Sequence, residues 1–284
     1  MLNKKILFAT TVRNPGKKFK KSVEKFYKIG KKFQDFEIII VESDSSNYKY
    51  LQPFENQNNI VVKKLGRLKE NIKDGHLRTE RISFSRNKYI RYLKENLHKN
   101  FDYLIVFDSD GVSNLITYKK IKEALIIKND WSAQFSNQLV YYYDIFALRS
   151  KDWVDKNYKL SRDEYIKNGM NPKKAILNSL TNKILHISSK KNLIRVESAF
   201  GGFGIYKVSR IGSAKYVGNV NGESLCEHVP FNRAIEEAYP GTLYINPKLI
   251  SGLGFPEHTF GPKILIKLIP SFIFNFLYQK YKQR

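Results

Sequence analysis

Three short, unbroken apolar runs, each emptying into a polar cluster, constrain this chain more than any other feature. Ile6-Leu7-Phe8-Ala9 leads into Thr10-Thr11-Val12-Arg13-Asn14, and Ile38-Ile39-Ile40-Val41 into Glu42-Ser43-Asp44-Ser45-Ser46. Tyr103-Leu104-Ile105-Val106-Phe107 leads into Asp108-Ser109-Asp110-Gly111. Runs without polar alternation suit strands covered on both faces. Residues 4–12, 36–41, 60–64 and 103–107 are the expected strands. Residues 17–33 and 83–97 carry helical spacing between them, with Tyr89, Ile90, Leu93 and Leu97 on one side of the latter. This alternation predicts an α/β fold, a mostly parallel mixed sheet flanked by helices. Such sheets bind ligands at the C-terminal ends of their strands, where all three polar clusters fall.

Two aspartates one residue apart, Asp108 and Asp110, can jointly hold a hard divalent cation, which in turn can neutralise a diphosphate. The competing reading is a polar turn in which Asp and Gly serve turn geometry.

The second half is less regular. Residues 138–146, with Tyr141-Tyr142-Tyr143-Asp144, read as a strand, and 151–189 as helical. Residues 197–206, ESAFGGFGIY, form a glycine-rich loop between apolar segments; 223–238 read as a turn running into a helix, and 242–246 as a last short strand. Without an internal repeat or low-complexity linker, the expectation is one domain over 1–262. It divides into 1–130, whose strand-end loops could hold a nucleotide, and 131–262, and a basic tail follows over 263–284.

The charge balance is extreme: 50 Lys plus Arg against 26 Asp plus Glu, a net +24. Such a field favours anionic partners. No nucleic-acid-binding signature accompanies it, so nucleic acid is not an expected partner. Cys226 is the only cysteine, which excludes an internal disulfide and a thiolate zinc cluster. The N-terminal apolar run is too short for a signal peptide, and no stretch approaches the ~20 apolar residues of a bilayer span. The tail KILIKLIPSFIFNFLYQKYKQR interleaves apolar and basic residues and is broken by Pro270 and Asn275. It reads either as an interfacial membrane helix or as a terminal helix packed on the domain.

In order along the chain, TTVRN, VESDSS, DSD, FGGFG and the Glu of CEH resemble GT-A-fold glycosyltransferases. More narrowly, RTERISFSRNKYI, the DSDGV strand end, ESAFGGFGIYK and CEHVPFNRAI look like the fungal capsule-associated mannosyltransferases and their bacterial relatives. The resemblance implies transfer of a sugar from a nucleotide-sugar donor, GDP-mannose or another nucleoside diphosphate hexose. The acceptor would be a hydroxyl of a cell-envelope or capsular glycan, free or lipid-linked, at the cytoplasmic face of a membrane.

It also implies roles. Asp110 would ligate Mn2+ or Mg2+, while Asp108 would contact the ribose or share the metal. Thr10, Arg13, Glu42, Asp44, Arg86 and Ser109 would line the donor. Gly201, Gly202 and Phe203 belong to the acceptor-side loop, whose glycines either admit a sugar close to the backbone or make a turn. Glu227 would be the general base of an inverting enzyme, or would position the acceptor in a retaining one; an ordinary first-turn carboxylate is the other reading. Neutral imidazole suits manganese, which makes His258 a candidate third ligand and His228 its rival. Two other classes stay open: a nucleotidyltransferase making a nucleotide sugar, and a non-catalytic basic module binding membrane or nucleic acid.

Overall fold

The computed structural model describes residues 2–254 and 266–282. The apolar runs become parallel neighbours: β1 (Leu2–Val12), β2 (Phe33–Glu42), β3 (Ile60–Lys64) and β4 (Tyr103–Phe107). With β5 (Ala133–Gln138), β6 (Ile194–Arg195), β7 (Phe203–Lys207) and β10 (Leu243–Gly252) they form an eight-stranded sheet in the order β3-β2-β1-β4-β7-β5-β10-β6. β7 runs antiparallel to both β4 and β5, and β6 antiparallel to β10; the other pairings are parallel. The expected fold class, a mostly parallel mixed sheet flanked by helices, is therefore present. A separate hairpin joins β8 (Asn219–Val220) to β9 (Glu223–Ser224).

Both faces of the sheet are covered, which is why the central stretches of β1, β2 and β4 are apolar on both sides. Ile6, Phe8, Ile38, Ile40, Ile105 and Phe107 point to one side, under α1 (Lys17–Gly30) and α4 (Tyr118–Leu125). Their alternates Leu7, Ala9, Ile39, Val41, Leu104 and Val106 point to the other, under α3 (Arg78–Glu95) and α7 (His228–Ala238). Helix α1 turns Phe19, Val23 and Phe26 inward at spacings of four and three, while Lys17, Lys18, Lys21 and Lys28 stay in solvent and the half-buried Lys25 donates to the Ser113 carbonyl. The Phe26 ring lies 4.1 Å from Phe107 and 5.9 Å from Phe203. Burying such a ring contributes roughly 1.5–3 kcal/mol.

Some boundaries differ from expectation. Helix α3 begins at Arg78, five residues early, and residues 151–189 hold two helices, α5 (Tyr158–Lys167) and α6 (Pro172–Ser179). The strand expected over 138–146 instead lies just before it, as β5, whose sequence AQFSNQ is mostly polar yet wholly buried. The side chains of Gln134, Ser136, Asn137 and Gln138 all hydrogen-bond inside the protein, for example Asn137 to the carbonyls of Ile187 and Pro247. Burial of polar groups is tolerated on that condition. Helix α2 (Leu68–Asn71) is a single turn.

The helix Ser271–Lys282 lies against α6, and Lys173 Nζ donates to the Ile269 carbonyl just before it. Leu268 and Phe272 nonetheless keep about three quarters of their surface in solvent. Among the described residues no helix is long and apolar enough to cross a membrane.

Candidate active site

Asp108 follows the last residue of β4, at the sheet edge where the parallel strands β1, β2 and β4 all end. Its N–H donates to the Gly202 carbonyl at 2.9 Å. Ser113 Oγ then donates to the carbonyls of both Asp108 and Gly202, at 2.9 and 3.0 Å. The aspartate turn is thereby clamped to the glycine loop. Ser109 is buried within that turn, whereas Asp110 is exposed, and one of its oxygens accepts from the Val112 N–H at 3.2 Å.

Gly201 and Gly202 have φ of +68° and +82°, the left-handed region that glycine enters without strain. The Gly201 carbonyl accepts from Ser136 Oγ, Gln138 Nε2 and Ser251 Oγ, and its N–H donates to Asp144 Oδ2 at 3.0 Å. A Cβ at Gly201 would stand 2.7 Å from Gln138 Nε2 and 2.8 Å from the Ser136 carbonyl. Phe203 is fully buried in the core. Of the two readings of this loop, the geometry displays the turn: its polar groups face inward and hold the aspartates in place. The Phe203 side chain in particular packs against α1 rather than lining a cleft.

Arg86, on α3, joins the two halves of the site. Nη2 donates to Asp108 Oδ1 at 3.2 Å, Nε to Glu227 Oε1 at 3.1 Å and Nη1 to Tyr89 Oη at 3.3 Å. The guanidinium lies 5.1 Å from the centre of the Phe200 ring and 5.7 Å from that of Tyr216. Asn87 positions Tyr216, donating to its carbonyl at 2.8 Å and accepting from its N–H at 2.9 Å. Glu227 is 6% exposed and stands immediately before α7, but its carboxylate faces Arg86 instead of capping the helix.

Asp108 keeps 37% of its side chain exposed toward the sheet edge. Its carboxyl is pushed up to about 7 by surrounding protein and by Asp110, Asp144 and Glu227, against the pull of Arg86. With that much exposure dehydration is only partial, and the gathering of carboxylates supports the same direction. Tyr143 borders this cluster: burial, then Asp144, Asp108 and Asp110, hold its phenol well above its ordinary pKa. Asp144 and Tyr143 thus belong to the site although the sequence pattern placed them in a strand. The available signal was the departure of a Tyr-Asp run from strand alternation.

His228 is buried, its ring stacked on Phe200 at 3.8 Å and edge-on to Tyr216 at 5.5 Å. Burial and Arg86 hold its pKa well below the ordinary value, so the imidazole is neutral. Nε2 lies 3.8 Å from Glu227 Oε1, and neither ring nitrogen has a hydrogen-bond partner among the described residues. His258 lies outside the described residues. Among those described, no three His, Cys, Asp or Glu side chains gather closely enough to enclose a metal. Asp108 and Asp110 still suit a hard cation that takes one or two protein carboxylates and completes its shell with water and substrate phosphates.

The remaining donor-side residues divide. Thr10 and Glu42 are fully buried; Glu42 Oε1 accepts from the Ser45 N–H at 2.9 Å, shaping the loop after β2. Asn14 ties that loop to the one after β1, donating its N–H to Ser45 Oγ and accepting from Ser46. Asp44 has φ of +58°, accepts from the Lys69 N–H at 3.0 Å and lies 3.5 Å from Arg81 Nε. Arg13 is exposed just past β1. Arg86, Asp108 and Glu227 are therefore brought into one hydrogen-bonded cluster with His228 against it, whereas Thr10 is buried within β1 and Glu42 shapes the loop after β2.

No protein-family model and no curated protein matches this chain. Solved structures do resemble it. A mannosyltransferase from Pyrobaculum calidifontis in complex with GDP-Man and Mn2+ is 9% identical at a TM-score of 0.49, over 93% of this chain and 61% of the other. Glucosyl-3-phosphoglycerate synthase from Mycobacterium tuberculosis, in complex with UDP, is 9% identical at 0.41, over 88% and 69%. S. aureus TarS (residues 1–349) is 11% identical at 0.41, over 85% and 57%. This chain thus spans about three fifths of the length of the first. At such scores and identities the resemblance carries no functional weight, and the reading below rests on the residues of this chain.

Proposed function

We propose that this protein is a metal-dependent glycosyltransferase that takes a sugar from a nucleoside diphosphate donor. The observation that carries the reading is the Asp108–Arg86–Glu227 chain at the C-terminal edge of the sheet, with Asp110 exposed beside it. Departure of a nucleoside diphosphate builds negative charge, which a divalent cation held by Asp110 and Asp108 would stabilise. Asp110 faces solvent and is the first choice of direct ligand. Asp108, tied to Arg86, orients toward the ribose or shares the cation. Glu227, held by Arg86, is the proposed base: in an inverting reaction it takes the proton of the acceptor hydroxyl. Arg86 holds its carboxylate in one orientation, so the base needs no reorganisation at the moment of reaction.

GDP-mannose or another nucleoside diphosphate hexose is the donor to test first, with a cell-envelope or capsular glycan as acceptor. Thermal unfolding with GDP-, UDP- and CMP-sugars, with and without Mn2+, should reveal one donor that stabilises the protein only when metal is present. Asp110→Ala should abolish both that shift and metal-dependent release of nucleoside diphosphate while leaving the unfolding midpoint of the free protein unchanged. Full turnover by Asp110→Ala would overturn the reading.

The exposed Leu268 and Phe272, beside Lys267 and on a chain of +24, support peripheral attachment to an anionic bilayer at the cytoplasmic face. Co-sedimentation with phosphatidylglycerol vesicles should drop on Phe272→Asp. Equal sedimentation of this variant and the native chain would exclude the helix as the anchor.

A further inference from the structure

Arg149 is a nearly buried cation on the wall of a cavity. It is 2% exposed, and its backbone is paired with residues 197 and 198. Its Nη1 donates to the carbonyls of Phe146 and Leu148. Among the described residues no carboxylate forms an ion pair with it; Asp144 and Asp155 act on it only from beyond ion-pair distance. A guanidinium cannot escape this by losing its proton, so it remains a buried charge without a counter-charge, which is costly.

Arg149 lines a cavity of about 430 Å³ between α5 and α7. The cavity's walls include Leu160, Val229 and Ala234. Of the other cations on it, Lys156 is paired with Glu164 and Arg233 with Glu197, which leaves Arg149 as the lining cation without an anionic partner among the described residues. Asp155 and Glu237 also line the cavity. Their charge disfavours a dianion such as a phosphate monoester more than a monoanion. None of the lining residues belongs to the Arg86 cluster.

We propose that this cavity binds a small carboxylate with an apolar stem, the carboxylate pairing with Arg149 and the stem lying against Leu160, Val229 and Ala234. The fork of a guanidinium matches a carboxylate in geometry, and the volume suits a small organic ligand. The inference is independent of the glycosyl-transfer reading.

The test is calorimetric titration at fixed ionic strength with benzoate, benzyl alcohol and phenyl phosphate. Benzoate should bind saturably at one site, and benzyl alcohol should not. Arg149→Met should lower benzoate affinity at least tenfold. Because that side chain also supports the 146–148 carbonyls, Leu160→Trp is the second variant. It fills the cavity from a partly exposed wall, and should remove benzoate binding without moving the unfolding midpoint. No saturable benzoate binding below roughly 10 mM, weaker than ordinary specific recognition, would overturn the proposal. So would binding unchanged in Leu160→Trp, or tighter binding of phenyl phosphate than of benzoate.

Discussion

Replacing Arg86 with Met tests the central cluster most directly, because Met keeps apolar bulk against Phe200 and Tyr216 while removing the charge and its hydrogen bonds. The Arg86 and Glu227 side chains are 5% and 9% exposed, so their pair is a buried one. Breaking a buried pair by deleting one partner typically costs about 3–5 kcal/mol, most of it from the charge left stranded. Asp108, at 37% exposure, can reach water and adds less than about 1 kcal/mol. Loss of the guanidinium's contacts with two rings adds about another 1 kcal/mol. The expected destabilisation near neutral pH is therefore about 5 kcal/mol, given that buried pairs vary by a few kcal/mol. Urea unfolding followed through the buried Trp131 and half-buried Trp153 would read it. In a Glu227→Gln background no charge is stranded, and Arg86→Met should cost only about 1–2 kcal/mol, a coupling of at least about 2 kcal/mol. A cost below about 1 kcal/mol, or additive effects in the double variant, would refute the view that Arg86 is the counter-charge holding Glu227.

Three further outcomes follow from the same geometry. The Asp108 carboxyl, raised to about 7 in the folded protein, ionises near 3.9 in an unfolded chain. The folded state thus binds the extra proton between those values, so metal-free stability should fall as pH rises through that window. Mn2+ must displace that proton, so its affinity in calorimetric titration should climb to about pH 7 and then level; an affinity flat from about pH 5.5 to 8 would contradict it. Glu227→Gln should lower turnover about 10²- to 10⁴-fold with little change in donor affinity if the carboxylate is the base, and near-normal turnover would leave it an acceptor-positioning role. Gly201→Ala should cost more than about 1 kcal/mol in urea unfolding, because its left-handed φ and its contact with the Ser136 carbonyl both oppose a Cβ; a neutral effect would show that the clamp yields.

Strands β1, β2 and β4 were readable in the sequence because their buried stretches are apolar on both faces, and β3 from its short run Ile60-Val61-Val62; the edge at which they end followed from their parallel pairing. The cluster was half legible. Asp108, Arg86 and Glu227 stood out by motif, but 141 residues separate Arg86 from Glu227, and no spacing rule places them 3.1 Å apart. Strand β5 was missed because its stability comes from satisfied amides and hydroxyls rather than apolar surface, a property that depends on partners distant in sequence. The same blindness hid Asp144, whose value lies in the Gly201 N–H it accepts. FGGFG was visible as a glycine pattern, but its inward-facing carbonyls were not.

Strand β7 also bears on how the chain reaches its fold. Until residues 203–207 arrive, β4 has a partner only in β1, and its other edge is open. That edge belongs to YLIVF, a strand buried along its whole length in the finished sheet. Nearly a hundred residues must be synthesised between the two strands, so the growing chain carries an adhesive apolar border for much of its synthesis. A fragment ending before Phe203 would keep that border permanently and should aggregate, even though β1 to β4 and helices α1, α3 and α4 would all be present.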